Sequence, residues 1–296
     1  MKKNSILISV ILVICLVFSG CNSKKAAFSI PKSGGIPLEP IKYTVQINKK
    51  ESKNKVYIYN VANNTNQILK ETEKMFENLK LEKDGNNQYF GHADNGFDVT
   101  FFTNDNTWIA VNTNINKEST AEEITLSNSD CIDIAKNFLD KHKIRPKNFD
   151  FASVGTTSTG GGFNTPEKII EKSVYFYPSI DGKQVYGNSR IIVDINANGD
   201  IIKIHGYNRN INTNEKKEVE IINADKAVDM TVKNHSDVSA NISGKEKKIT
   251  VKEAELLYYS DIEMNTVQPI WSITGIAENN DNTTSEYEAL IPAVYN

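Results

Sequence analysis

The chain has 296 residues, with 34 Lys and Arg against 37 Asp and Glu, and 39% of its residues are hydrophobic. This composition is typical of one or two globular domains and argues against a disordered polymer. Three Cys residues exclude a disulfide scaffold, and an isoelectric point near 5.9 argues against nucleic acid as a partner, because few cations would displace phosphate counterions.

The first twenty residues have the order of a secretory signal. Two lysines precede an apolar run over 6–18, and two small residues follow it before Cys21. The run is shorter than the roughly 20 residues that a membrane span needs. We therefore expect residues 1–20 to be a signal peptide, with an uncleaved N-terminal anchor as the alternative. In either case the body of the protein is expected outside the cytoplasm.

The end of this signal carries a resemblance. Phe18-Ser19-Gly20-Cys21 resembles the lipobox of bacterial lipoproteins. The resemblance implies that the Cys21 thiol receives a diacylglycerol group and that cleavage leaves this residue first in the mature chain.

The segment that follows is predicted to be a lipidated tether over residues 21–41, because it is polar and rich in Pro and Gly. Removal of the signal changes the formal net charge from −3 to −5. A mildly acidic protein gains nothing from an anionic lipid surface, so attachment is expected to depend on the acyl chains. Cys131 is then the only free thiol, and no intrachain disulfide can form.

Residues 42–118 form the first predicted unit. Apolar residues recur at three- and four-residue steps from Ile68 onward, which predicts a helix that begins after Asn63 or Asn64. Alternating apolar residues on both sides of it predict strands, and the last two strands are expected to form a hairpin around 104–106.

Residues 121–215 form the second predicted unit. Ser127 and Asp130 have the spacing of a helix capping box, and one apolar face follows them. Runs of β-branched residues then predict strands. The Asn198-Gly199 pair lies between two such runs and predicts a tight hairpin.

Residues 216–296 form the third predicted unit, in which Asn223 can cap a short helix and three strand-like runs follow. The same plan of a helix and antiparallel strands thus occurs three times. This order predicts an α+β fold built from repeated units of one helix packed on antiparallel strands.

Several short motifs occur in the second and third units. They are Ile134-Ala135-Lys136, Lys226-Ala227-Val228, Tyr175-Phe176-Tyr177, Asp181-Gly182-Lys183, Val193-Asp194-Ile195 and Gln268-Pro269-Ile270-Trp271. Together they resemble PepSY-type domains and their relatives in the extracytoplasmic accessory proteins of cell-wall two-component sensor kinases. The likeness covers about residues 121–296. It implies a PepSY-like fold, an inhibitory or regulatory role, and no catalytic residues.

Three further patterns suggest chemistry but lack a required group. Residues 194–200 match the first half of a calcium loop, yet His205 stands where the bidentate Glu belongs, so a hairpin is favoured over a weak ion site. The stretch 155–162 lacks the Lys of a phosphate-binding loop and is interpreted as a connector that could contact a partner. Cys131 lies on an apolar helix face, about 16 Å of helix rise from His142, and is interpreted as a packing residue rather than a nucleophile.

Metal and cofactor sites have no support in the pattern of residues. The four His residues show no metal-binding spacing, and no hydrolase nucleophile motif occurs. We therefore expect no metal, no cofactor and no enzymatic activity.

Tyrosines are the remaining candidates. Tyr175 and Tyr177 alternate with apolar residues on one strand, and Tyr258 and Tyr259 are adjacent on another. Exposed tyrosines of this kind would form a protein interface, whereas a second layer over the strands would bury them.

The expected function is that of a lipid-anchored, non-catalytic protein on the outer face of the cell membrane that binds or regulates another envelope protein. A lipoprotein that binds a small ligand or peptide in a cleft between the units is the alternative, and a Tyr-lined apolar pocket would favour it. An envelope hydrolase with an unrecognised site is the third class.

Overall fold

The computed structural model describes residues 28, 30–32, 40–47, 55–62, 64–115, 122–160, 167–207 and 210–294. These residues contain three helices: α1 (Thr65–Met75), α2 (Asn128–Lys141) and α3 (Ala224–Val232). They also contain seventeen strands: β1 (Lys42–Val45), β2 (Lys55–Ala62), β3 (Glu82–Lys83), β4 (Gln88–His92), β5 (Phe97–Phe102), β6 (Thr107–Asn112), β7 (Phe151–Thr159), β8 (Lys168–Tyr177), β9 (Ser179–Ile180), β10 (Lys183–Gly187), β11 (Arg190–Ile195), β12 (Ile201–Tyr207), β13 (Asn210–Glu220), β14 (Ser239–Ala240), β15 (Glu246–Ser260), β16 (Thr266–Asn279) and β17 (Thr284–Pro292).

The prediction of an α+β fold made of repeated helix-on-strand units is wrong. Strands account for 51% of the described residues and helices for 14%. The strands form one sheet of nine and one of eight, and the larger sheet takes strands from all three predicted units. The predicted units do not form separately, because strands that are distant in the sequence pair with each other.

The eight-stranded sheet has the order β3-β4-β5-β6-β12-β11-β8-β7, with all neighbours antiparallel. Side chains alternate between its two faces. One face packs against α1 and α2 and contains Trp108, Val174, Val193 and Ile204, which together with Leu139 of α2 are each at most 1% exposed. The opposite face carries the candidate site.

Each helix begins at a residue that the sequence pattern identifies. The Asn64 side chain accepts a hydrogen bond from the Gln67 backbone N–H at the start of α1, and Asn223 caps α3 in the same way. Ser127 and Asp130 form the reciprocal capping box of α2. These predictions are confirmed, because capping depends on residues that are neighbours in the sequence.

The nine-stranded sheet is built around the long hairpin of β15 and β16. Strands β1 and β10 pair in parallel with opposite ends of β15, and β2 and β17 pair with opposite ends of β16. Helix α3 covers one face, where the Trp271 indole N–H donates to the Ile222 carbonyl at 2.9 Å. The two sheets thus have separate cores.

A short N-terminal segment lies on the other face of this sheet, inside the predicted tether. The Phe28 ring stacks on Tyr259 at 6.0 Å between centroids, and Ile30 is 6% exposed. Ser239 Oγ donates to the Pro31 carbonyl at 2.7 Å, and Lys32 Nζ donates to the Val238 carbonyl at 3.1 Å. We call residues 28, 30, 31 and 32 the docked segment.

The stretch interpreted as a connector is in part a strand. Residues 155–159 belong to β7, which pairs with β8 from Phe151 opposite Tyr177 to Thr159 opposite Lys168. Threonine is common in strands, and repeated Thr can override one Gly. Gly160 follows the strand, and residues 161–162 lie outside the described residues.

Candidate functional site

The site lies on the face of the eight-stranded sheet that the helices leave open. On β8, Val174 and Phe176 are at most 2% exposed on the helix side. Tyr175 and Tyr177 alternate with them and therefore point to the opposite face, where both remain partly exposed. The interface prediction for these two tyrosines stays open.

Three tyrosines form a continuous stack on this face. The Tyr175 and Tyr177 ring centroids are 6.4 Å apart with planes at 12°, and the Tyr177 and Tyr186 centroids are 6.2 Å apart with planes at 20°. Tyr186 lies on β10, in the nine-stranded sheet. The stack, which we call the tyrosine row, therefore crosses from one sheet to the other.

An arginine lies beside the tyrosine row. The Arg190 guanidinium carbon is 5.9 Å from the Tyr175 ring centroid and 5.4 Å from that of Tyr207. Arg190 and Tyr207 are directly opposite on β11 and β12, which fixes this contact. Each such cation–π contact stabilises the arrangement by about 0.5–1 kcal/mol at partly exposed sites. Arg190 is thereby held in place by packing.

The guanidinium still has donor capacity. Arg190 Nε is buried and has no hydrogen-bond partner among the described residues. A buried donor without a partner costs about 1–3 kcal/mol, so a group that could accept from it would be favoured. The tyrosine row and Arg190 together offer aromatic surface and a cationic donor.

The hydroxyls of Tyr177 and Tyr186 are neutral. Burial raises the pKa of Tyr186, and the neighbouring Glu288 carboxylate raises it further. Burial also raises the pKa of Tyr177, and a hydrogen bond with Ser153 opposes this in part. Both phenols therefore remain protonated at physiological pH and can donate hydrogen bonds.

A buried carboxylate supports the same face. Asp194 lies on β11 with its side chain 4% exposed. Its oxygens accept from Ser173 Oγ at 2.7 Å and from Lys203 Nζ at 3.1 Å, and lie 3.2 Å from His205 Nε2. Burial alone would raise the pKa of Asp194, but hydrogen bonds from His205 and Ser173 and the charge of Lys203 lower it overall. This network joins β8, β11 and β12 on the same face as the tyrosine row.

The network does not have the geometry of a catalytic triad. In a triad the imidazole lies between the serine and the acid, so that it can take the serine proton. Here the Asp194 carboxylate lies between Ser173 and His205 and contacts both. The arrangement can hold strands together, but it does not activate Ser173.

The hairpin prediction at Asn198-Gly199 is confirmed. Strands β11 and β12 flank the turn, in which Asn196 Oδ1 accepts from the backbone N–H of Asn198 at 3.0 Å and of Asp200 at 2.9 Å. Asp194 is engaged in the network instead of the turn. Among the described residues, no cluster of three His, Cys, Asp or Glu side chains could hold a metal ion.

Two of the four predicted tyrosines are buried within the chain. Tyr258 is 2% exposed and packs edge-on against Tyr59 at 5.6 Å between centroids. Tyr259 is 7% exposed beneath Phe28. These two tyrosines therefore present little surface to another molecule, because a second layer covers them. The predicted lipidation residue, Cys21, lies outside the described residues.

The packing interpretation of Cys131 is confirmed, since its side chain is 0% exposed against the eight-stranded sheet and burial raises its pKa. A Tyr-lined pocket is not found among three described clefts. One, of about 230 Å³, is lined by Glu71, Pro146, Asn148, Phe149, Pro178, Ile180, Asn210, Ile211 and Thr213. The other two are likewise lined without tyrosine.

Sequence reasoning missed three members of the site. Arg190 and Tyr207 could have been paired from the register of the Asn198-Gly199 hairpin, because both end a strand of that hairpin. Tyr186 gave no such signal, because it joins the row through parallel pairing of β10 with β15, about seventy residues away.

Within the described ranges, no helix combines the length and the apolar character needed to cross a membrane.

Comparison with known proteins gives little to set beside this geometry. No known family and no curated protein matches the chain. Among solved structures, the C-terminal domain of Bacillus megaterium YpeB is similar at 13% sequence identity and a TM-score of 0.34. The alignment covers 75% of this chain and 95% of that domain. The likeness is distant and assigns no family.

Proposed function

We propose that this protein is an extracytoplasmic lipoprotein, anchored through an acylated Cys21, that binds another envelope protein and regulates it without catalysis. The observation that carries the proposal is the open face formed by the tyrosine row, Arg190 and Tyr207. The anchor rests on the sequence alone, in which a signal-like segment ends at a lipobox-like cysteine.

The composition of the face favours a protein partner. Tyrosine and arginine are enriched in protein interfaces, where they supply much contact area for few rotatable bonds. Stacking between Tyr175, Tyr177 and Tyr186 restricts these side chains before a partner arrives. Binding would then cost less side-chain entropy, which is the advantage of a preorganised surface.

Arg190 suggests what the partner contributes. The residue is partly exposed, and its guanidinium lies between two aromatic rings. A carboxylate of the bound protein would pair with this cation. A partner with an acidic residue at this point would therefore be favoured over one without it.

The test is crosslinking in intact cells that carry the natural partner, followed by purification of the lipoprotein. We compare the wild-type chain with a Tyr175→Ala/Tyr177→Ala variant. Tyr57→Ala is the matched control, because Tyr57 is also a partly exposed strand tyrosine. Lys216 Nζ lies 4.2 Å from the centroid of its ring, and neither residue belongs to this face.

We expect one protein to be recovered with the wild-type chain and the control and to be lost with the double variant. Circular dichroism of each variant establishes that it is folded. Recovery of the same protein with all three chains would refute the assignment to this face. Recovery of none with the wild-type chain would count against a protein partner.

A further inference from the structure

Strand β7 leaves one edge of the eight-stranded sheet open. It pairs with β8 on one side, and no described strand pairs with it on the other. Its nine residues, Phe151–Thr159, contain no charged residue and no Pro, and six of them are exposed. The extra residue at the register irregularity between Thr157 and Ser158 lies on β8, so β7 itself is regular. An edge strand of this kind is a template for pairing with another strand.

The other sheet edges are protected because their strands are short or charged. Strand β3, at the far end of the same sheet, has two residues, and both are charged. Strand β13 is an edge of the larger sheet with eleven residues, but five of them are charged and its pairing is interrupted between Asn212 and Lys216. Strand β9 has only two residues. Edge strands are usually short or charged, which protects them against association. Among the described edge strands, β7 is both long and uncharged.

We propose that β7 pairs antiparallel with β7 of a second copy of this chain, in a symmetric dimer. A neutral strand suits this occupant, because a strand paired with its own copy places like residues close to each other and would repel itself if it were charged. Its Ser and Thr residues can form cross-strand hydrogen bonds with the same residue types of the other copy. This inference concerns a different edge from the tyrosine row and goes beyond the proposed function.

The pairing would join the open faces of the two copies. Each eight-stranded sheet would continue into the other, over about 30 Å for a nine-residue strand. A Cβ on Gly155 would lie 3.1 Å from the Tyr175 ring, which shows that this ring extends over β7 toward the edge. The Tyr175 rings of both copies would then flank the junction.

The test is the mass of the full-length chain in a non-ionic detergent, measured by light scattering over a range of concentrations with the detergent mass subtracted. Ala152→Lys/Thr156→Lys adds charge at two exposed positions of β7, and Ala152→Glu/Thr156→Glu is its opposite. The matched control, Thr284→Lys/Ser285→Lys, adds the same charge to exposed positions of β17.

We expect the wild-type chain and the control to shift from one to two copies as concentration rises. Each β7 variant should dissociate at least about tenfold more readily, because like charges face each other. An equimolar mixture of the Lys and Glu variants should recover the dimer, which a misfolded variant could not do. A wild-type chain that stays monomeric, or β7 variants that dimerise like the control, would overturn the proposal. Tyr186→Ala removes the end of the tyrosine row that lies on the nine-stranded sheet, away from β7, and separates this result from the proposed function, since partner capture can fail while the dimer remains.

Discussion

Replacing Asp194 by Ala removes the carboxylate that joins three strands on the face of the tyrosine row. The side chain accepts from Ser173 Oγ at 2.7 Å and from Lys203 Nζ at 3.1 Å, and it contacts His205. Ser173 is 8% exposed, so its hydroxyl would lose its partner in a place that water reaches poorly. We expect the variant to fold but to be less stable.

The magnitude follows from the burial of each partner. A buried hydroxyl without a partner costs about 1–3 kcal/mol. The Lys203 side chain is 35% exposed, so its ion pair contributes only about 0–1 kcal/mol after solvent screening. The total is about 1–4 kcal/mol. At roughly 2–4 °C per kcal/mol, the midpoint of thermal unfolding should fall by about 2–16 °C.

The difference in stability between wild type and Asp194→Ala should decrease at low pH. The folded environment lowers the pKa of Asp194 below its unfolded value of about 3.9. Stabilisation by the carboxylate is therefore fully present above the unfolded pKa and is lost as the pH falls through the folded pKa. The gap between wild type and variant should be constant near neutral pH and should shrink below about pH 4.

The assay is unfolding by heat and by urea at several pH values. Asp133→Ala serves as the control, because Asp133 is an exposed acid on α2. We expect the control to change stability by less than about 0.5 kcal/mol. An Asp194→Ala variant as stable as this control, or a gap that does not shrink at low pH, would refute the reasoning.

Three further changes give separate tests. Gly206→Ala would place a Cβ 2.0 Å from Trp108 Cε2, so we expect a loss of about 1–3 kcal/mol or more in urea unfolding, and an unchanged midpoint would contradict the packing. Ser127→Ala removes the acceptor of the Asp130 backbone N–H in α2 and should cost about 1 kcal/mol, measured in the same way, with Asn137→Ala, at an exposed position of the same helix, as control. Cys21→Ser should move the protein from the membrane fraction to the soluble extracytoplasmic fraction, and retention in the membrane would contradict acylation at this residue.

Local features of the fold could be predicted from the sequence. The helix caps at Asn64, Ser127 and Asn223 and the hairpin at Asn198-Gly199 each depend on a few neighbouring residues, and each is present. The arrangement of the sheets could not be predicted in this way. Apolar alternation marks a strand but does not identify its neighbour, so the parallel pairing of β1 and β10 with β15 left no local pattern.

The same limit applies to the site. Alternation along β8 identified Tyr175 and Tyr177 as residues that share one face, and the structure places them there. It could not separate them from Tyr258 and Tyr259, because burial of those two depends on Tyr59 and Phe28, which are distant in sequence. Exposure is set by the second layer, and the second layer is a property of the whole fold.

With Cys21 acylated, as proposed, the docked segment would limit the distance between the folded body and the membrane. An acyl group on Cys21, as proposed, precedes Phe28 by seven residues, and seven residues reach at most about 25 Å when fully extended. Under that proposal, the part of the surface that carries the docked segment, with Tyr259 beneath Phe28, would stay close to the lipid headgroups. Tyr186 is opposite Tyr259 in the sheet, so the tyrosine row begins beside this part of the surface. A partner would bind the tyrosine row near the bilayer surface, at the level of the juxtamembrane region of a membrane-embedded receptor.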